Sequence, residues 1–504
     1  MLFNSFAFVL GFLPIAFAGY FLTSRLSGQA GVAFLALASL AFYSYWDWRL
    51  TPLLVASILI NYAIGAAISC WRDADPPRAK TVLTGGLVLN LSALVYFKYM
   101  NWMIGTLNQT TSSNISIMKV VLPLGISFYT FTQIAFLVDS YKGKVKERNI
   151  RNYFLFVTYF PHLIAGPVLH HAEMMPQFAD PSNKKPNLSN IAFGMALFLM
   201  GVVKKVVIAD SVAPFADRIF DGHGALGAAA AWSGALAYSA QIYFDFSGYT
   251  DMALGLSRLF NIRLPLNFDS PYKAQSIVDF WRRWHMSLSR FLRDYLYIPL
   301  GGNRLGFLRR YANLFATMVL GGMWHGAGWT FLIWGALHGA FLVVNHAATA
   351  LRERLGIAWR AWMGPFAWAT TFLAVVVSFV FFRANSLAAA LRVLDGMAAF
   401  SAPHPPAIPH ETTAALLGRI ADEGWAWIAG PLALAFLAPN SQQIIAWAEA
   451  RLTEFARAPR PSTRDFSRNF APLAFAGFAT TMILFVISLT GIRHGVSPFI
   501  YFNF

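Results

Sequence analysis

Two histidines stand in the most aromatic parts of this chain. His285 lies in FWRRWHMSLSRFL, residues 280–292, and His325 in GGMWHGAGWTFLIWGALHG, residues 321–339. An ionisable group at membrane depth is costly and is by default a functional-site hypothesis. A neutral imidazole in a desolvated site has the chemistry of a general base. Each position also has a purely structural reading: a core histidine bonded to a backbone carbonyl for His325, a packed or headgroup-bound one for His285. His338, thirteen residues after His325 and beside Gly339, reads as packing between helices. Asp245 and Asp251, in YFDFSGYTD, are further buried carboxylates that read as pins between helices. Near the end, SPFIYFNF presents Tyr501, whose phenol oxygen can carry a covalent intermediate if a base such as His325 assists it. The same tail would also serve as an interfacial anchor.

These side chains need elements to hold them. On one helix, Trp281, Trp284, His285, Leu288 and Leu292 recur at i, i+3, i+4, i+7 and i+11, which is a single apolar face. Arg283, Arg290 and Arg293 fall on the other side. Ser276 followed by Asp279 predicts the helix start, and Pro299, Gly301 and Gly302 predict its end. The segment 273–310 is therefore expected to be an amphipathic helix and loop at the cytoplasmic interface. Its arginines suit either lipid headgroups or a phosphorylated ligand. Around His325, Gly321, Gly322, Gly326 and Gly328 allow backbone or substrate to come close.

The rest of the chain is built for lipid. It has 504 residues, 57% of them hydrophobic and only 12% charged. Runs at Ser5–Thr23, Thr81–Met100, Phe366–Phe382 and Ala471–Leu489 approach the roughly 20 apolar residues that a span requires. The fold class is all-α and polytopic, with ten to twelve expected membrane segments, some incomplete. The first run lacks a basic lead and a small-residue cleavage site, so it reads as a retained span. A net charge of +16 does not call for nucleic acid here, because basic residues of membrane proteins gather in cytoplasmic loops. The single cysteine, Cys70, leaves no internal disulfide and no cysteine-based metal site.

With the N-terminus outside, the basic loop YKGKVKERNIR (141–151) falls on the cytoplasmic side, and uncharged LNQTTSSNIS (107–116) falls outside. The same walk puts residues 384–424 and the tail 493–504 outside. Tyr153–Leu169 contains Pro161, Gly166 and Pro167, and is expected to be broken or re-entrant.

Several blocks in order resemble the membrane-bound O-acyltransferases: FWRRWHMSLSRFLRDYLYIPLGG, GGMWHGAGWTFLIWGALHG, LPLGISFYTFTQIAFLVDSYKG, YFPHLIAGPVLHHAEMMPQ and QIYFDFSGYTDMALGLSRLFNIRLPLNFDSPY. The likeness covers most of the chain and is greatest to the bacterial branch that acetylates alginate, cellulose or peptidoglycan from the inner membrane. It implies a ring of tilted and re-entrant helices around a thinned centre with a through-tunnel. It puts the family's central histidine on His325 and the accompanying one on His285. It also implies acetyl-CoA as the cytoplasmic acyl donor, with no bound cofactor. Trp281, Arg282, Arg283, Trp284, Arg290 and Trp324 are the candidates to meet that donor. The tail motif of Phe499, Tyr501 and Phe504 resembles an acyl-accepting tail, with Tyr501 as carrier to a periplasmic partner of the SGNH, serine-hydrolase-like type. Two other functions stay open at this level. One is D-alanyl transfer from a carrier protein to teichoic acid; the other is a transporter or flippase, which would also use broken helices and midplane polar groups.

Overall fold

The computed structural model describes residues 1–118, 120–145, 149–164, 166–304, 306–399, 424–456, 477–486 and 497–500. Among these there are helices and no strands. In chain order the first half holds α1 Ala7–Ser24, α2 Gly28–Ser44, α3 Trp48–Ala74, α4 Pro76–Thr111, α5 Ile126–Tyr141, α6 Ile150–Thr158, α7 Phe160–Leu163 and α8 His171–Ala179. Then come α9 Leu188–Phe220, α10 Ala228–Leu259, α11 Ile277–Arg283, α12 Met286–Leu292 and α13 Phe307–His325. The last are α14 Trp329–Arg354, α15 Met363–Arg383, α16 Leu387–Ala398, α17 Trp425–Leu437, α18 Ser441–Ala456 and α19 Gly477–Val486.

Six of these, α1, α3, α4, α9, α14 and α15, are long and apolar enough to cross a membrane, and α2, α17 and α19 are shorter apolar helices. The chain is an all-α polytopic membrane protein. Six is fewer than the ten to twelve segments anticipated from sequence; α10, 32 residues and about 48 Å long, is not among them and carries Asp245, Asp251 and Arg258.

Helix starts follow local chemistry. Ser27, Asp75, Asn149, Asn187, Ser276 and Ser386 each accept a backbone N–H from the first turn of the following helix. Such caps satisfy donors that have no partner inside the helix.

The chain divides into two compact units. The first comprises Met1–Val203, Tyr249–Leu266 and the described residues from Ser441 onward. In it, Asn61 of α3 and Asn90 of α4 exchange amide hydrogen bonds at 3.2 and 2.7 Å, a polar clasp between two spanning helices. Asp251 accepts from Ser441 Oγ at 2.5 Å and from Gln442 Nε2 at 3.3 Å, so this carboxylate pins α10 to α18, as the sequence reading holds. The segment Tyr153–Leu169 is broken between α6 and α7 at Tyr159, as its prolines and glycine imply, and the freed backbone is buried in protein. Phe499 is buried and stacks on Tyr249 at 4.5 Å, which in turn stacks on Phe3 at 5.0 Å. Tyr501, two residues further on, lies outside the described residues.

The second unit comprises Lys204–Gly248 and Asn267–Asn440. Its polar pins are ionic. Lys205 sits in a wide π-helical turn of α9, Val203–Ala209, with its Nζ 2.7 Å from both Asp210 and Asp245. Asp245 is thus a structural partner of Lys205, in line with its reading as a pin. Arg383 at the end of α15 reaches Asp217 at 2.7 Å and Asp221 at 2.8 Å.

Candidate active site

The site is assembled on the second unit from α10 to α15. Helices α13 and α14 form a hairpin turned at Gly326–Gly328, with His325 as the last residue of α13. Their backbones close against each other because the contact positions lack side chains. A Cβ on Gly322 would lie 2.4 Å from Phe331 O, and one on Gly335 would lie 2.5 Å from Met318 O. Gly335 and Gly339 thereby make a G-x-x-x-G contact of the kind that packs membrane helices. His325 is buried at the foot of this hairpin, with Trp324 at 4.9 Å, Trp334 at 5.1 Å and Phe382 at 5.2 Å between ring centroids.

His285 arrives by another route, and here the sequence expectation is corrected. Residues 277–292 are not one helix but two, α11 and α12, separated at Trp284–His285. Ser276 starts α11 as anticipated, accepting Asp279 N–H at 3.0 Å, and the chain beyond α12 does turn at Gly301–Gly302. At the break His285 has φ +44° and ψ +52°, a left-handed conformation that costs a non-glycine residue on the order of 1–3 kcal/mol. Asn267 holds it there. Its carbonyl accepts Met286 N–H at 3.0 Å, while its Oδ1 accepts Ser287 N–H at 3.3 Å and Ser287 Oγ–H at 2.5 Å. The tertiary bonds to Asn267 outweigh the gain from one continuous amphipathic helix. The apolar periodicity could not reveal them, because Asn267 stands eighteen residues upstream of His285.

The break turns the imidazole inward. His285 is fully buried, edge-on to Phe246 at 4.8 Å, 6.2 Å from Trp324 and 6.3 Å from His325 between ring centroids. Both of its ring nitrogens are buried without a hydrogen-bond partner among the described residues. Such orphaned polar atoms cost about 1–3 kcal/mol each, and native structures keep them at strained or catalytic positions or where water or a ligand sits. His285 lies outside the six spanning helices, and burial pushes its imidazole down to about 3. It is therefore a neutral acceptor or donor at ordinary pH.

The other candidates divide by exposure. Trp281 is buried and donates through Nε1 to His338 Nδ1 at 3.2 Å. Trp284 is buried between Phe280, at 5.5 Å, and Tyr272, at 6.3 Å. Trp281 packs on Trp334 at 5.9 Å and Trp284 on Phe246 at 6.5 Å, rings that in turn face His325 and His285. Trp324 lies near both histidine rings, 4.9 Å from His325 and 6.2 Å from His285 between centroids. Arg282 is exposed and Arg290 half-buried, whereas Arg283 is engaged by Asp279 at 2.9 Å and by the Asp269 carbonyl at 3.3 Å. His338 packs between helices, as its place beside Gly339 suggests. Sequence reasoning passed over Phe246, Asn267, Trp334 and Phe382; aromatic and amide residues are too common in this chain to signal themselves.

The arrangement suits proton transfer at a hydroxyl. Two imidazoles at this separation can share one hydroxyl through hydrogen bonds of about 2.8 Å, in a buried aromatic cage.

Residues 40–388 match the model of "MBOAT, membrane-bound O-acyltransferase family". The chain is 45% identical over 424 residues to a peptidoglycan O-acetyltransferase of Helicobacter pylori, covering 79% of this chain and 80% of that one. It is 42% identical over 405 residues to the "Probable alginate O-acetylase AlgI" of Azotobacter vinelandii, covering 79% and 78%. A more distant likeness is to a teichoic acid D-alanyltransferase of Streptococcus thermophilus, 28% identical over 235 residues and covering 44% of this chain and 57% of that one. With its blocks in order and its match spanning both histidines, this chain belongs to the membrane-bound O-acyltransferase family.

Proposed function

We propose that this protein is an O-acetyltransferase of the bacterial inner membrane, which takes acetyl from cytoplasmic acetyl-CoA for transfer to an extracytoplasmic polysaccharide. The observation that carries the reading is the pair of His285 and His325: two buried imidazoles 6.3 Å apart, one with both nitrogens unpartnered. The O-acetylating relatives support the same acyl group and class of acceptor.

His325 removes the proton from an acceptor hydroxyl as its oxygen attacks the thioester carbonyl. The C–O bond forms, the C–S bond then breaks, and the proton passes from His325 to the departing sulfur as the coenzyme A thiol. His285 orients the hydroxyl or the carbonyl oxygen beside it. The exposed Arg282 and the half-buried Arg290 suit the phosphates of the donor. Tyr501 is the first acceptor: the tail enters from outside, its phenol oxygen takes the acetyl, and a periplasmic SGNH-type transferase carries it to the glycan. Such a relay removes any need to move acetyl-CoA across the bilayer. Both termini are periplasmic in this reading.

The test is incubation of the purified protein in lipid nanodiscs with acetyl-labelled acetyl-CoA. Thiol release and label on the protein are expected, both lost in His325→Ala. A wild-type protein that releases no thiol, or a His325→Ala variant that releases it at the wild-type rate, overturns the assignment.

A further inference from the structure

A second histidine-centred arrangement lies directly behind the site. His338 of α14 is fully buried. Its Nδ1 accepts from Trp281 Nε1 at 3.2 Å, and its Nε2 lies 2.9 Å from Ser378 Oγ. Ser378 in turn donates to the Val375 carbonyl at 2.7 Å. An indole nitrogen only donates, so Nδ1 of His338 must be the bare nitrogen. The proton therefore sits on Nε2 and points at Ser378, whose own hydroxyl proton is directed to Val375. Neither the other tautomer nor the imidazolium fits, since each would set an Nδ1–H against the indole N–H. Each of these side-chain polar atoms, from Trp281 through His338 to Ser378, is satisfied in a single sense, the condition under which a buried network specifies one geometry.

The three helices joined in this way are those that shape the site. Trp281 belongs to α11, which ends at the break that presents His285. His338 belongs to α14 and packs 4.8 Å from Trp334, the ring that stands edge-on to His325. Ser378 lies one turn before Phe382 of α15, which also faces His325, at 5.2 Å. Phe280 covers the remaining face of His338, stacked at 6.1 Å.

We infer that His338 is a positioning residue for acyl transfer, a neutral crosspiece that fixes α11, α14 and α15 so that His285, Trp334 and Phe382 hold their places around His325. The inference rests on the catalytic reading of His325. A base displaced by about 1 Å can lose a hundredfold in rate while substrate affinity is untouched.

The experiment compares initial rates of thiol release from acetyl-CoA by nanodisc-reconstituted wild type, His338→Phe, His338→Asn and His325→Ala. His338→Phe keeps a ring for stacking and deletes both hydrogen bonds. Its kcat should fall about 10- to 100-fold, with KM for acetyl-CoA changed less than about twofold. His338→Asn, whose Oδ1 can still accept from Trp281, should recover part of the loss. Trp281→Phe combined with His338→Phe should be no slower than His338→Phe by more than about twofold, because both delete one shared bond. A well-folded His338→Phe with wild-type kcat, or one whose KM alone changes, overturns the inference. If that variant does not accumulate in membranes, Ser378→Ala and Trp281→Phe read the two bonds singly, and wild-type kcat in both overturns it. An inert His325→Ala beside a fully active His338→Phe sinks this inference alone, whereas an active His325→Ala sinks the catalytic reading instead.

Discussion

The imidazoles of His285 and His325, forty positions apart in the chain, lie with ring centroids 6.3 Å apart and share Trp324 as a neighbour. His325 reaches this place as the end of a long helix, and His285 as the strained residue between two short ones. That difference gives the two histidines different expected sensitivities.

His325→Ala should abolish acetyl transfer, because removal of a general base typically costs about 10²–10⁴ in rate. The protein should still accumulate in the membrane. Initial rates on matched amounts of reconstituted protein decide it; near-wild-type transfer would exclude His325 as the base.

Replacing His285 by Ala should slow transfer less and leave measurable turnover. Part of the effect should be positional, and Trp281→Ala should reproduce some of it by loosening α11 through His338. Rates at saturating acetyl-CoA make the comparison. Equal and complete loss in His285→Ala and His325→Ala would mean that both histidines carry the proton chemistry.

The depressed His285 makes stability depend on pH with a definite sign. In the unfolded chain its imidazole takes a proton near 6.5, but burial holds it near 3 in the fold. Above pH 6.5 neither state is charged and no penalty arises. Between 6.5 and 3 the unfolded state binds the extra proton, so stability falls as the pH is lowered. Thermal unfolding of wild type and His285→Phe at pH 7 and at pH 4.5 measures this. Wild type should lose more between the two values, and parallel curves would contradict the assignment.

Asp245 should matter to the fold and not to the chemistry. Asp245→Asn removes one of the two carboxylates on buried Lys205, and breaking such a pair can cost up to about 3–5 kcal/mol. The variant should show reduced membrane levels and a lower melting temperature, with normal turnover per folded molecule. Normal stability with lost turnover would make Asp245 part of the reaction.

Tyr501→Phe separates relay from anchor, because it keeps the aromatic ring and deletes the nucleophile. Glycan acetylation in cells should be lost at normal protein level. Unchanged acetylation would leave Tyr501 only an anchoring role.

Composition and order were enough for the membrane class and the family resemblance, and they put His325 forward as a candidate. Apolar runs that match a bilayer and a histidine within tryptophans and glycines are local properties, and burial in lipid acts on them locally. Residues such as Pro161 and Gly166 likewise foretold the broken segment, since proline has no backbone N–H to donate inside a helix and glycine loses more conformational freedom than other residues on entering one. The tertiary structure alone decided how His285 is presented. A period of 3.6 residues favours one continuous helix through Trp281, Trp284 and His285, and tertiary bonds stand where it breaks: those that join Asn267 to Met286 and Ser287, and that of Asp269 N–H to the Arg283 carbonyl. It also decided the link from Trp281 through His338 to Ser378, which spans almost a hundred residues. Periodicity reports which face of a segment is apolar. It carries no record of which distant donor meets which acceptor, and that pairing sets the geometry of this site.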